Sequence, residues 1–141
     1  MMDTRAVVIL REVCKIIIPA VLLFALYVQF HGEYGPGGGF QAGVIFAAGV
    51  ILYALVFGRE AAQCILPLTT VRIFIAAGVL LYAGVGVGTI FLGGSFLDYD
   101  VLLHDPKHAQ HLGIFLIELG VGITVAAVMI TIFYLLDEFC E

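Results

Sequence analysis

Four apolar stretches, at about residues 13–30, 40–57, 73–92 and 112–136, dominate this chain. Each is close to the length at which an α-helix crosses the hydrocarbon layer of a bilayer, about 20 residues with a range of about 17 to 25. Of 141 residues, 62% are hydrophobic and 12% charged, against roughly half and a quarter in a soluble domain. So small a core cannot bury that excess, and most of these side chains must face lipid or neighbouring helices. The expected fold is an all-α integral membrane protein, a single domain of four transmembrane helices over residues 1–141. No nucleic-acid partner is expected.

The first stretch carries Lys15 near its start, where a long side chain snorkels to the headgroups, and Pro19 in its first turns, where a missing N–H is tolerated. Arg5, Arg11 and Lys15 also suit the basic region of a signal peptide, but no A-x-A-like site follows Phe30, so the stretch is expected to be a permanent span. Arg5, Arg11 and Lys15 precede it, Arg59 and Arg72 flank the connection between the second and third spans, and Lys107 alone falls on the other side. The positive-inside rule then expects cytoplasmic N and C termini, with residues 31–39 and 93–111 outside. Cys14, Cys64 and Cys140 fall on the cytoplasmic side, where thiols stay reduced. With no C-x-x-C pair and no Ser-His-Asp or Cys-His arrangement, neither a cofactor nor an enzyme acting alone is expected.

Between the first two spans lies "HGEYGPGGGF", residues 31–40. A Walker-type phosphate loop needs Gly-Lys-Ser/Thr after its glycines, but here Phe40 and Gln41 follow, and no Lys or Arg occurs from 16 to 58. The loop reads instead as a connector: Pro36 fixes one φ, while Gly35, Gly37, Gly38 and Gly39 permit positive φ and close approach by another chain. Backbone dipping into the membrane rim must be covered by protein, because lipid satisfies no hydrogen bond.

Small residues recur inside the spans at spacings that let helices approach in lipid. Gly39 and Gly43 form one such pair and Gly84 and Gly88 another, each expected to pack within the chain. In the fourth span Gly113, Gly120, Thr124, Ala127 and Thr131 line one seam, with Glu118 and Gly122 on a different face. A helix with a smooth seam on one side and an acid on the other implies neighbours on both, more than four helices are expected to supply.

Glu118 is the acid well inside a span, and a charge at that depth costs several kcal/mol unless it is paired, protonated or wet. It is therefore a candidate proton or cation ligand, the structural alternative being a carboxyl hydrogen-bonded to a neighbouring helix. His31 beside Glu33 can hold or pass a proton near neutral pH, or simply cap an interface. His104, His108 and His111 have spacings that would share a helix face and could hold a metal, but Pro106 interrupts the segment and an outer loop is a natural place for solvated histidines, so no metal is expected.

The stretch "HGEYGPGGGFQAGVIFAAGVILYALVFG" and the fourth span "LGIFLIELGVGITVAAVMITIF" together resemble the MnhB or MrpB family, one of the small membrane components of the Mrp-type multisubunit cation/proton antiporter. The resemblance covers nearly the whole chain, with H-G-x-x-x-P-G-G-G-F its most specific element. It implies a small subunit in the cytoplasmic membrane of a prokaryote, within a complex that exports Na⁺ in exchange for H⁺. Its implied partners are other membrane subunits, including large antiporter-like ones that carry the main proton relay. The motif positions are His31, Gly32, Pro36, Gly37, Gly38, Gly39 and Phe40, with Gly43 a turn later and Glu118, Gly120, Gly122 and Thr124 in the fourth span. Glu118, His31 and Glu33 are the expected proton or cation path; the loop glycines, Pro36 and Phe40 are expected to serve assembly or to shape an outer-side ion path, and Gly43, Gly120, Gly122 and Thr124 to serve packing. Related subunits occur in hydrogenase-type and complex I-related respiratory arms, which stands as an alternative beside a stand-alone small transporter.

Overall fold

In lipid, helices associate through close backbone packing and not through burial of apolar surface from water, and small residues set the architecture here. The computed structural model describes residues 4–32, 37–102 and 104–140. Five α-helices follow one another: α1 Thr4–His31, α2 Gly39–Phe57, α3 Arg59–Ile65, α4 Leu68–Phe91 and α5 Pro106–Cys140. A 3₁₀ turn, Tyr99–Val101, lies between the last two. Among the described residues, α2, α4 and α5 are long and apolar enough to cross a membrane.

The helices stand in the order α1, α2, α5, α4, with α1 and α5 scarcely touching. A Cβ on Gly43 would come within 2.6 Å of the Gly122 carbonyl oxygen, so α2 and α5 run parallel with their backbones nearly in contact. On the opposite face of α5, a Cβ on Gly78 would overlap the Thr124 hydroxyl and approach the Gly120 carbonyl to 2.8 Å. There α4 and α5 run antiparallel. The seam through Gly120 and Thr124 and the acid face through Glu118 and Gly122 thus both have neighbours, and both neighbours come from within the chain: α2 supplies one and α4 the other. On these two faces the neighbours expected from outside are supplied by the chain itself, because glycine contacts bring two partners within backbone distance of one helix.

Gly84 and Gly88 behave differently from expectation. A Cβ on either would meet nothing within 4 Å, because α4 turns Gly78, six and ten residues earlier, towards α5, and 100° per residue carries both away from that face. Pro19 is also displaced from its expected place. α1 begins at Thr4, so the proline lies inside the helix, where it leaves the Lys15 carbonyl without its usual donor.

Core packing is built from alanines: Ala47, Ala54, Ala62 and Ala127 with Val71, Ile130 and Tyr134. Tyr134 donates its phenolic hydrogen to the Leu66 carbonyl at 3.3 Å. Arg59 lies 3.5 Å from Glu138 and 3.9 Å from Asp137. These contacts tie the short helix α3 to the C-terminal turns of α5. By helix direction, Arg5, Arg11, Lys15, Arg59 and Arg72 all lie at this end of the bundle, and Lys107 lies at the other.

The Lys107 end is closed by Thr89. Its buried hydroxyl accepts the Leu97 N–H at 3.0 Å and sits 2.8 Å from the Gly86 carbonyl and 3.0 Å from the Ser95 carbonyl. Leu97 is held at φ 64, a left-handed conformation that costs a residue of this type about 1–3 kcal/mol. Replacing Thr89 by Val keeps the shape and orphans the Leu97 N–H, a loss of about 1–3 kcal/mol. Faster hydrogen exchange confined to residues 94–101 is the expected result; unchanged exchange there would show that the hydroxyl does not hold the turn.

Candidate functional site

Asp105 starts the segment that carries most of the polar chemistry. Its Oδ1 accepts the Lys107 N–H at 3.1 Å, the pattern of a helix N-cap. Pro106 then occupies the first helical position, where its missing N–H is harmless. The proline therefore opens α5 and does not interrupt the segment as expected from sequence, and His108 and His111 stand on the helix while His104 precedes it. The His108 ring lies 2.7 Å from the second Asp105 oxygen. That contact, with the Lys107 N–H, holds the Asp105 carboxyl below its usual range. Among the described residues no three His, Cys, Asp or Glu side chains are grouped to hold a metal ion.

From this cap, Lys107, His111, Ile114 and Glu118 follow at intervals of four, three and four, one stripe along α5. They line an open cavity of about 500 Å³, together with Pro106, Gln110 and, across from α5, Gly32 at the end of α1. Gln110 donates to Asp100 at 2.7 Å, which fastens the 3₁₀ turn against the first turns of α5. Glu118 forms the deep end of the cavity. Twelve residues past Pro106, it lies roughly 18 Å along the helix axis from the start of α5.

The glycines of the loop close around that carboxyl group. A Cβ on Gly32 would stand 2.9 Å from Glu118 Oε2, and one on Gly38 would stand 3.3 Å from Oε1. Gly38 has φ 140, a conformation that disfavours any side chain. At Gly39 the Cβ would overlap the backbone carbonyl of Glu118 itself. The carboxylate is thereby placed at the N-terminal end of α2. That helix has no acid in its first turn and no side-chain cap from Gly38, while its first N–H groups and dipole favour negative charge. A carboxyl from a neighbouring helix stands where an acidic side chain of α2's own first turn would.

The other expected positions divide clearly. Gly43 and Gly122 join the site as the backbone contact one turn below Glu118, whereas Gly120 and Thr124 face α4. Gly37 packs on the Val28 carbonyl, 3.1 Å from where its Cβ would be. Phe40 is exposed. His31 is exposed at the end of α1 with its ring stacked on Tyr27, centroids 5.0 Å apart, and does not line the cavity. Glu33 and Pro36 lie outside the described residues.

Two neighbours of the site are not singled out by sequence. Lys107 enters there only through topology, although its four-residue spacing from His111 is visible. Gln29 is buried, with its side-chain oxygen against Gly122; a lone amide near a helix end carries no signal in sequence, and only the fold shows where it sits.

Comparison with known proteins places the chain among transport proteins. Residues 9–131 match the family model described as a domain related to the MnhB subunit of Na⁺/H⁺ antiporter. A Staphylococcus haemolyticus protein named as an antiporter subunit, mnhB2, is 37% identical over 128 residues, covering 89% of this chain and 90% of its own. Proteins of the same name from two Staphylococcus aureus strains are 36% identical over 128 residues, with the same coverage.

Proposed function

The chain belongs to the MnhB family of Na⁺/H⁺ antiporter subunits, and from that premise we propose that it works as a small membrane subunit of a multisubunit antiporter, with Glu118 as its ion-handling group. It is a transporter component of a bacterial membrane and not an enzyme. The proposal includes four transmembrane helices in the cytoplasmic membrane, α1 among them, with both termini in the cytoplasm. Five of the six Lys and Arg residues at one end of the bundle support that orientation.

One observation carries the ion-handling role: the cavity that leads from Lys107 and His111 at the rim down to the Glu118 carboxyl. His111 and Glu118 are seven residues apart, roughly 10 Å along the helix, too far for direct transfer and suited to transfer through water. The cavity has room for several waters and polar groups to hold them. Water can bring a proton or a hydrated cation to Glu118, and the glycine cradle then fixes the carboxyl so that its charge is met by the α2 N-terminus. His31, exposed at the end of α1 and outside the cavity lining, and Glu33 are proposed as further proton-handling groups. The partners are the other membrane subunits of the complex, large antiporter-like ones included, and the transported ions are Na⁺ and H⁺.

Ile114 lies between His111 and Glu118 on the cavity wall. In right-side-out vesicles carrying the complete complex, with Cys14, Cys64 and Cys140 replaced by Ser, Ile114→Cys is expected to react with a membrane-impermeant maleimide added outside. Labelling is expected to cut cation-dependent proton exchange by at least about tenfold. Reaction only from the cytoplasmic side would reverse the orientation, and full exchange after complete labelling would remove the cavity from the ion path.

A further inference from the structure

α1 and α5 run antiparallel, and each presents a glycine where the polar head of the other arrives. A Cβ on Gly32 would stand 2.9 Å from Glu118 Oε2, and one on Gly122 would overlap Gln29 Oε1. Gly32 lies about one turn after Gln29, and Gly122 one turn after Glu118. The backbones of Gln29 and Glu118 therefore stand at nearly the same depth, with the carboxyl turned towards the Lys107 end and the amide towards the Arg59 end. Gln29 is 7% exposed, and its Nε2 has no hydrogen-bond partner among the described residues. A buried amide donor without an acceptor is rare in folded proteins and calls for an explanation.

Few groups can supply that acceptor. The donor is enclosed by protein, and the backbone carbonyls around it already accept helical N–H groups. Among side chains, Gln41 of α2 is exposed, and Thr124 of α5 bonds the Gly120 carbonyl and faces α4. Towards the Arg59 end, α1 and α5 leave an apolar groove between them, with no polar side chain on its α2 and α5 walls before Tyr53. The Glu118 carboxyl, one turn away on a flexible stem, remains. We propose that Gln29 is a positioning residue for ion transfer, whose Nε2 donates to the Glu118 carboxyl when that head leaves the Gly32 and Gly38 cradle and turns away from the open cavity. Gly32 and Gly122 leave no side chain of their own between the two heads. Two opposing terms keep both positions accessible: the α2 N-terminus favours the carboxylate in the cradle, while the orphan amide disfavours that state. The inference rests on Glu118 as the ion-handling group and adds the group that receives it on the far side.

The test is a double-mutant cycle in the complete complex, reading cation-dependent proton exchange in vesicles together with subunit stoichiometry. Gln29→Met, which keeps the length and removes the donor, is expected to lower exchange at least about tenfold with full assembly, the scale of one hydrogen bond to a charged group. Added to Glu118→Gln, it is expected to lower the residual exchange no further. Gln29→Asn keeps an amide but shortens its reach; it is expected to assemble and to lose exchange likewise, and it serves if the Met variant does not assemble. Full exchange in an assembled Gln29 variant would overturn the inference and leave the role of Glu118 standing. Equal loss with and without the Glu118 carboxyl would also overturn it, because Gln29 would then act apart from that group. Full exchange in Glu118→Gln alone would instead remove the premise.

Discussion

Gly39→Ala is expected to prevent this subunit from accumulating in the assembled complex. The added methyl falls on the backbone carbonyl of Glu118, and backbone cannot move aside as the end of a flexible side chain can. α2 and α5 must separate, which also opens the contact between Gly43 and Gly122 one turn below. Overpacking in a well-filled interior costs roughly 1–3 kcal/mol and occasionally more, and a backbone clash between two helices belongs at the upper end. Against a total stability of about 5–15 kcal/mol, a steep loss of protein follows. The control is Gly84→Ala, where the same methyl meets nothing within 4 Å; the fold of the chain should tolerate it. Quantifying the subunit in purified complex checks both, and normal incorporation of the Gly39 variant would show that the α2–α5 contact is looser than described.

Glu118→Gln has a different expected signature: full assembly with exchange lowered at least about tenfold, the lower edge of what a positioned proton-transfer group contributes. Glutamine occupies the same space between Gly32 and Gly38, so the cradle has no reason to reject it. Removing the negative charge from the N-terminal end of α2 costs about 0.3–1 kcal/mol, too little to dismantle the bundle. What the variant lacks is the ability to take up and release a proton or to bind a cation with a full charge. Measuring cation-dependent exchange together with subunit stoichiometry separates the two roles. Full exchange would assign Glu118 to structure alone, and loss of the subunit would mean that the charge holds the loop in place.

The fold is legible in the sequence where it depends on length and hydrophobicity. The segments expected at 40–57, 73–92 and 112–136 lie within helices Gly39–Phe57, Leu68–Phe91 and Pro106–Cys140, apart from Leu92. The short helix Arg59–Ile65 is not legible there, because seven residues carry too little periodicity to distinguish a helix from a polar connection. Its brackets, Gly58 before and Pro67 after, are the available signals. α1 and α5 begin earlier than their apolar runs suggest, for a related reason. Polar opening turns, with Arg5 and Arg11 in one and Lys107 and His108 in the other, look like loop to a reading based on apolar runs, while their backbone continues the helix.

The candidate site is legible only as parts. Glu118 stands out because an acid in an apolar span is costly, and the glycine loop stands out because so much missing side chain needs a reason. Nothing in sequence joins them, since about 80 residues separate the loop from the acid and helical periodicity relates only residues on the same helix. The sequence by itself determined that the chain must live in a membrane, which segments are helical and that Glu118 is out of place in lipid, all consequences of local hydrophobicity and the need to satisfy backbone hydrogen bonds. Only the tertiary structure decided that the glycines exist to let two helix backbones close on that carboxyl, that Gln29 is buried against Gly122 one turn below it and that a groove is left between α1 and α5. Those facts follow from which surfaces pack at van der Waals distance, and no single segment contains that information.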